Sequence, residues 1–339
     1  MAETLVLDKD DIAALIRACG LELFYSLLME RLEKGFRNFA EGKITVPARH
    51  AFSFAKGSVE SMPAADAAQF AVKVVNTHPA NPAHGLPTVI AVGMLVDGAT
   101  GVPLMITEGT LLTALRTAAA SAIATNYLAR KDAATLGIVG TGAQALPQLH
   151  ALSLVRKIEQ VYAYDIDRHA LEDFVRAAKT IGTTVTPLHH QKDASEADIV
   201  VTATCATQTP VLRNGWIRDG THINAVGGDA PGKTELEKAL VQRSKLVVDF
   251  IDQAVHEGEA QQVGREGIYA HLGEIVSGGK KGRAGNEITI FDSVGFAMED
   301  LVAYQLLYEM AHRHCRTVRI AAQQRFPKNL YASYFGDAL

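Results

Sequence analysis

The spacing of hydrophobic positions changes twice along this chain. Ile12, Leu15, Ile16 and Cys19 recur at i, i+3, i+4 and i+7 behind Asp10 and Asp11. Phe24, Leu27, Leu28 and Leu32, at i, i+3, i+4 and i+8, continue the pattern up to Gly35. Apolar residues spaced this way line one face of a helix, so two amphipathic helices are predicted, the first capped by the aspartates and the second ending near the glycine. From Ile44 to Ile106 the period shortens. Runs rich in β-formers at 70–75, 88–96 and 102–106 are broken by Pro, Gly and Asn, and Asp97-Gly98-Ala99-Thr100-Gly101 reads as a hairpin loop. An Ala-rich helix follows over about 111–129. Beyond Lys131-Asp132, short apolar runs at 135–139, 160–164, 199–202, 222–226 and 246–248 alternate with helical patterns, of which 167–180 is the clearest. Strands alternating with helices predict an α/β fold with a doubly wound parallel sheet.

Composition narrows the function classes. A chain of 339 residues, 48% hydrophobic and 21% charged, has material for two domains and an ample core. The net charge of −4 gives no basic footprint for nucleic acid or an anionic membrane surface. No apolar run approaches the ~20 residues that span a bilayer, and Met1-Ala2-Glu3-Thr4 does not open a secretory signal. Cys19, Cys205 and Cys315 are odd in number and far apart, which fits a reducing, cytoplasmic compartment. The 12 histidines form no H-E-x-x-H pattern and no zinc-spaced cluster, so no metal site is expected.

The sharpest motif is Leu136-Gly137-Ile138-Val139-Gly140-Thr141-Gly142-Ala143-Gln144-Ala145. An apolar strand ends in G-x-G and a helical pattern starts at once. The unpaired N–H groups of a helix N-terminus attract a pyrophosphate. Gly140 permits the turn, Gly142 lets phosphate reach the backbone, and Ala145 allows close helix packing. Asp165, 20 residues after Ala145 at the end of the next strand, is placed to accept ribose hydroxyls. The alternative is a tight turn in an ordinary α/β domain. Strand, helix and acid together favour a dinucleotide, and Asp165 favours NAD over NADP, with Arg168 as the opposing signal.

Other candidates each carry a plain reading beside the functional one. In the segment 223–236 a strand ends at Gly227-Gly228, followed by Asp229 and Lys233. Loops after strand ends line the crevice of such sheets, so Asp229 is a candidate acid/base, or else a turn residue before Pro231. Arg49, Lys73 and Arg116 are cations in the non-nucleotide part. Lys73 shares a strand face with Ala71 and Val75, and Arg116 interrupts an apolar helix. Singly they read as an edge-strand guard and surface residues. Together they suggest a carboxylate pocket. Glu60 could meet an ammonium or lie in a solvated turn. His78, in a rigid Asn/Pro loop, reads as structural. In 290–300, Ser293 and Gly295 fit a ligand loop and Asp292 a cap.

These residues resemble the ornithine cyclodeaminase/mu-crystallin family. The resemblance runs from about Arg49 to Asp300. It is carried by Lys73-Val74-Val75-Asn76-Thr77-His78-Pro79-Ala80-Asn81, by Thr113-Ala114-Leu115-Arg116-Thr117-Ala118-Ala119, by the glycine turn, by the segment from Asn224 to Leu236, and by that from Phe291 to Asp300. The stretch Gly227-Gly228-Asp229-Ala230-Pro231-Gly232-Lys233-Thr234-Glu235-Leu236 is similar to the cyclodeaminase branch in particular. The chain departs from that branch at Thr141, Ser61, Ala230 and His256.

The resemblance implies a Rossmann domain over 130–312 and a discontinuous α+β domain, 1–129 with 313–339, that binds substrate and forms a homodimer. It implies that Arg49, Lys73 and Arg116 hold a substrate carboxylate beside Val294, with Glu60 at a distal amine and Asp229 as acid/base. It implies NAD contacts from Thr88, Thr117, Gly140, Gly142, Ala143, Gln144, Asp165, Thr204, Asn224, Val226, Gly227, Lys233 and Ser293. The implied reaction converts L-ornithine, or a similar diamino acid, to L-proline or its analogue. Hydride leaves Cα for NAD, the distal amine closes the ring, ammonia departs, and the hydride returns. Two alternatives stand beside it on the same scaffold: an NAD(P)H-dependent cyclic ketimine reductase or amino-acid dehydrogenase, and a non-enzymatic crystallin-like ligand binder.

Overall fold

Two sheets share one buried helix. The computed structural model describes residues 4–205, 209–311 and 317–318. The first sheet has seven strands: β1 (Thr4–Leu7), β2 (His50–Phe54), β3 (Gly57–Ala65), β4 (Gln69–Thr77), β5 (Val89–Asp97), β6 (Pro103–Glu108) and β15 (Thr317–Val318), in the order β15-β1-β6-β5-β4-β3-β2. From β2 to β6 it is an antiparallel meander. The expected loop joins β5 to β6, with Asp97 accepting from the backbone and hydroxyl of Thr100. The rest of the segment 313–339 lies outside the described residues.

Register assigns the two faces of this sheet. Glu60 is paired with Val75, and Met62 with Lys73, in the β3–β4 ladder. Alternation therefore sends Glu60, Met62, Ala71, Lys73 and Leu95 to the inner face. The helix Ala297–Ala311 packs there, and Tyr304 lies over Gly93, where an added Cβ would come within 2.2 Å of its hydroxyl. Phe52, Phe54, Val74, Ile90 and Val92 fall on the opposite, exposed face. Lys73 is thus no edge guard. It lies on an interior strand and is 1% exposed.

Helices α1 (Lys9–Cys19) and α2 (Leu21–Ala40) match the amphipathic spacing, with Asp8 as the observed cap. α2 does not end at Gly35. A Cβ there would stand 2.6 Å from the Met298 sulfur, so the glycine is the point at which α2 and the Ala297–Ala311 helix touch.

The second sheet is parallel throughout: β7 (Thr135–Val139), β8 (Gln160–Tyr164), β9 (Val185–Pro187), β10 (Ile199–Thr202), β11 (His222–Ala225), β12 (Lys245–Val248), β13 (Ala270–His271) and β14 (Thr289–Asp292). Its order is β13-β12-β14-β11-β10-β7-β8-β9. The chain winds outward from β7 to β9, then restarts at β10 on the other side of β7. That reversal opens a crevice beyond the carboxyl ends of β7 and β10. Helix α3 (Thr110–Leu128) is buried along nearly its whole length and bridges the sheets. Its C-terminal carbonyl at Leu128 accepts from Arg283 at 2.6 Å and from Thr289 at 2.9 Å. Arg283, which also donates to the Thr289 hydroxyl, closes α3 onto β14. Among the described residues no single helix is long and apolar enough to cross a membrane.

Candidate active site

The glycine turn sits at the crevice. Gly140 has φ 93°, and a Cβ there would meet the Ala203 carbonyl at 2.6 Å, so the β7 and β10 loops touch across the switch point only with glycine in place. A Cβ on Gly142 would meet nothing within 4 Å. Gly142 and Ala143 are exposed, and Gln144 opens helix α4 (Ala145–Val155). Asp165, after β8, takes the Thr141 N–H at 2.6 Å and the Thr141 hydroxyl at 2.9 Å, which holds its carboxylate against the turn. Arg168 points elsewhere, to the Leu188 carbonyl and the His189 ring. The Gln144 Oε1 and Ser293 Oγ atoms are buried without partners. An open glycine, a helix N-terminus, an acid at the second strand and unpartnered polar atoms fit a dinucleotide laid across the crevice.

The far loops are organised by a residue that sequence reasoning passed over. Glu235 is fully buried and accepts from the Thr202 hydroxyl, the Thr204 N–H and hydroxyl, and the Gly227 N–H, all within 2.6–2.8 Å. It thereby fixes Thr204 and Gly227 at the crevice. Its only sequence signal was its place in the segment from Asn224 to Leu236. Asn224 itself differs from expectation. Its side chain is fully buried and donates to Thr125 of α3 at 3.0 Å, so it ties β11 to α3 and does not face the crevice. Thr88 precedes β5, where its carbonyl accepts from His78.

The three cations do meet, each with acids already in place. Lys73 Nζ lies 2.9 and 2.8 Å from the two Asp300 oxygens. Arg116 bonds Asp300 at 3.2 Å, Glu299 at 2.6 Å and the Thr117 hydroxyl at 2.8 Å. Burial brings Lys73 down to about 8, aided by Arg116 and opposed by Asp300. Burial also pushes the Glu299 carboxyl up to about 8 against the pull of Arg116. Lys73 and Arg116 thus share Asp300 and Glu299, and burial favours the neutral form of the Glu299 carboxyl, which leaves the two cations available to an incoming carboxylate. Gly295 lies against this pair with φ 73°, and a Cβ there would approach an Arg116 nitrogen to 2.7 Å.

Arg49 is held differently. It donates to Glu60 at 2.7 Å and to the carbonyls of Val294 and Gly295 at 2.9 and 2.8 Å, with Glu257 at 3.4 Å. Its buried Nε has no partner. Glu60 lies within β3, not in a turn. Asp229 is half-buried at the crevice mouth and forms a 2.7 Å ion pair with Lys233. Burial works against the Lys233 ammonium, but Asp229, with Cys205 and Glu235 adding to it, keeps the lysine above its ordinary value. An acid at such a crevice is of a type that can move protons on a bound molecule.

Asp292 takes the Ala260 N–H, as a cap would. Among the described residues no group of three or more His, Cys, Asp or Glu side chains is placed to hold a metal ion.

Residues 9–314 match the ornithine cyclodeaminase/mu-crystallin family. The chain belongs to that family. It is 39% identical over 316 residues to an alanine dehydrogenase of Archaeoglobus fulgidus, covering 91% of this chain and 95% of that one. A solved lysine cyclodeaminase, described for its recognition of L-lysine, L-ornithine and L-2,4-diaminobutyric acid, superposes with TM-score 0.90 at 36% identity over 98% of this chain and 99% of its own. The Delta(1)-pyrroline-2-carboxylate reductase of Thermococcus litoralis, solved with NADH and L-proline, gives 0.87 at 39% identity over 94% and 100%. Members of this family therefore include both cyclodeaminases and reductases or dehydrogenases.

Proposed function

We propose that this chain is an NAD-dependent cyclodeaminase acting on L-ornithine or a similar diamino acid, releasing ammonia and a cyclic imino acid with no net redox change. The observation that carries the reading is the charge order of the pocket: the buried cations Lys73 and Arg116, and a buried carboxylate, Glu60, held by Arg49. A carboxylate at one end and an ammonium at the other is the outline of a diamino acid. The nicotinamide, when bound, supplies reversible hydride transfer at the substrate α-carbon.

The protein's residues do the rest. Lys73, Arg116 and the free Arg49 Nε fix the α-carboxylate. Glu60 orients the distal amine toward C2. Asp229 takes the proton that the amine must lose before it attacks, and passes it to the departing ammonia. Holding both reacting groups in one molecule within one pocket favours ring closure. Thr88, Thr117, Gln144, Lys233 and Ser293 line the cofactor side, with Val294 beside the substrate.

A second reading, an amino-acid dehydrogenase or cyclic imine reductase, draws support from the satisfied Arg49–Glu60 pair and from the alanine dehydrogenase likeness. Net NADH turnover with a keto acid and ammonia, or with a cyclic imine, would favour it. We further propose that the exposed apolar face of β2–β5 meets a second copy of the chain, and that the chain divides into substrate and nucleotide domains near residue 130. Asp229→Asn is the direct test: ammonia release is lost while NADH binding persists. Turnover surviving in this variant would overturn the acid/base assignment.

A further inference from the structure

Glu257 is buried at the inner wall of the same pocket, and neither the pocket's charge order as described nor the proton transfer employs it. The turn Glu257-Gly258 places it. Gly258 has φ 66°, and a Cβ there would crowd Asp292 at 2.5 Å and Val294 at 2.6 Å. The Asp229 loop rests on the same turn, since a Cβ on Gly228 would fall 2.9 Å from the Gly258 Cα. Glu257 is thereby set between the acid/base loop and Arg49, and its Oε2 is shared by Arg49 and by the Gln253 amide, each at 3.4 Å.

One guanidinium therefore faces two buried carboxylates, Glu60 at 2.7 Å and Glu257 at 3.4 Å. The longer contact is the weaker one. A buried carboxylate with a poor partner is costly, so this corner has the capacity for one more cation.

Resting on the diamino-acid reading above, we propose that Glu257 determines specificity for the distal ammonium. When the α-carboxylate binds Arg49, the guanidinium yields its long contact to Glu257, and the substrate's second ammonium replaces it. A single exchange thus reads both ends of the substrate. An amino acid with no distal amine would free Glu257 from Arg49 and leave it with no cation, only the long contact to the Gln253 amide.

The electrostatics agree with the geometry. Burial pushes the Glu257 carboxyl up to about 7, with Glu60 and Asp229 adding to the rise and Arg49 opposing it. An ammonium in the gap would hold it ionised and expel its proton.

The test uses the full-length protein saturated with NADH, so that hydride cannot leave the ligand. Ornithine and norvaline, which share a carbon chain but differ in the distal amine, are titrated calorimetrically. The wild type should bind ornithine at least about tenfold more tightly, the low end for a buried charge pair. In Glu257→Gln this ratio should fall below about threefold with NADH affinity unchanged, and Glu257→Asp should keep part of it. In the wild type at pH 7, ornithine should release protons and norvaline should not, as judged in two buffers of different ionisation enthalpy. A ratio preserved in Glu257→Gln, or abolished only by Glu60→Gln, overturns the proposal, as does equal proton release. Persistence of the ratio without ammonia from NAD and ornithine would refute the cyclodeaminase reading and leave this assignment standing.

Discussion

Replacing Lys73 by methionine separates two roles that one side chain could fill. Methionine has nearly the same reach, so no large cavity forms. What disappears is the charge-assisted hydrogen bond to Asp300 Oδ1 at 2.9 Å and the ion-pair contact with Oδ2 at 2.8 Å. Asp300 keeps Arg116 at 3.2 Å and is not orphaned, so the loss should stay below the ~3–5 kcal/mol of an uncompensated buried charge. Relief from burying the ammonium offsets part of it. A stability loss of about 1–3 kcal/mol follows. Carboxylate binding should suffer more, by about 2–5 kcal/mol, because the substrate anion then meets one cation fewer in a dry pocket. That corresponds to a ligand affinity reduced by roughly 30-fold to several thousandfold. The assays are urea unfolding, NADH titration, and amino-acid binding to the NADH-loaded protein. Lys73→Met/Asp300→Asn should regain stability without regaining ligand. If Lys73→Met loses stability yet binds the amino acid within about threefold of wild type, Lys73 is only the counter-ion of Asp300 and the carboxylate pocket is wrongly drawn.

Three further outcomes follow from the same geometry. Glu235→Gln turns one acceptor oxygen into a donor facing the Thr204 or Gly227 N–H, so NADH affinity should fall by roughly 5- to 100-fold in a fluorescence titration. Gly295→Ala forces a left-handed residue against Arg116 and should cost about 1–3 kcal/mol in thermal unfolding, with the amino-acid KM raised more than NADH affinity is weakened. Lys73, lowered to about 8 by burial, is charged below that value and neutral above it. The amino-acid KM should therefore climb as pH passes upward through about 8, and this limb should shrink in Lys73→Met, where Glu299, pushed up to about 8 by burial, still ionises in that range.

The parallel sheet was legible because its signals are local. Apolar runs of strand length, the G-x-G turn and Asp165 at a fixed offset each depend on a few neighbouring residues, and the family likeness spans them. Charge partners were not legible. Asp300 meets Lys73 across 227 positions and Glu299 meets Arg116 across 183. No periodicity reports such pairs, so Lys73 read equally well as an edge guard. Gly35 looked like a helix end because glycine's usual role hid its use at a helix crossing. Asn224 stood in a ligand-like segment, but alternation along β11 turns its side chain under the sheet toward Thr125. Glu235 and Glu257 lay inside motifs already marked out, and only the fold shows which backbone N–H groups or guanidinium each one serves.

In the proposed reaction hydride leaves and returns within one turnover. The direct measurement is ammonia and absorbance at the NADH band followed together, with excess ornithine and a small fixed amount of NAD. Ammonia should exceed the NAD supplied many times over, with no sustained rise in NADH. Ammonia that stops at one equivalent of NAD while NADH accumulates would contradict the account and identify an oxidative dehydrogenase instead.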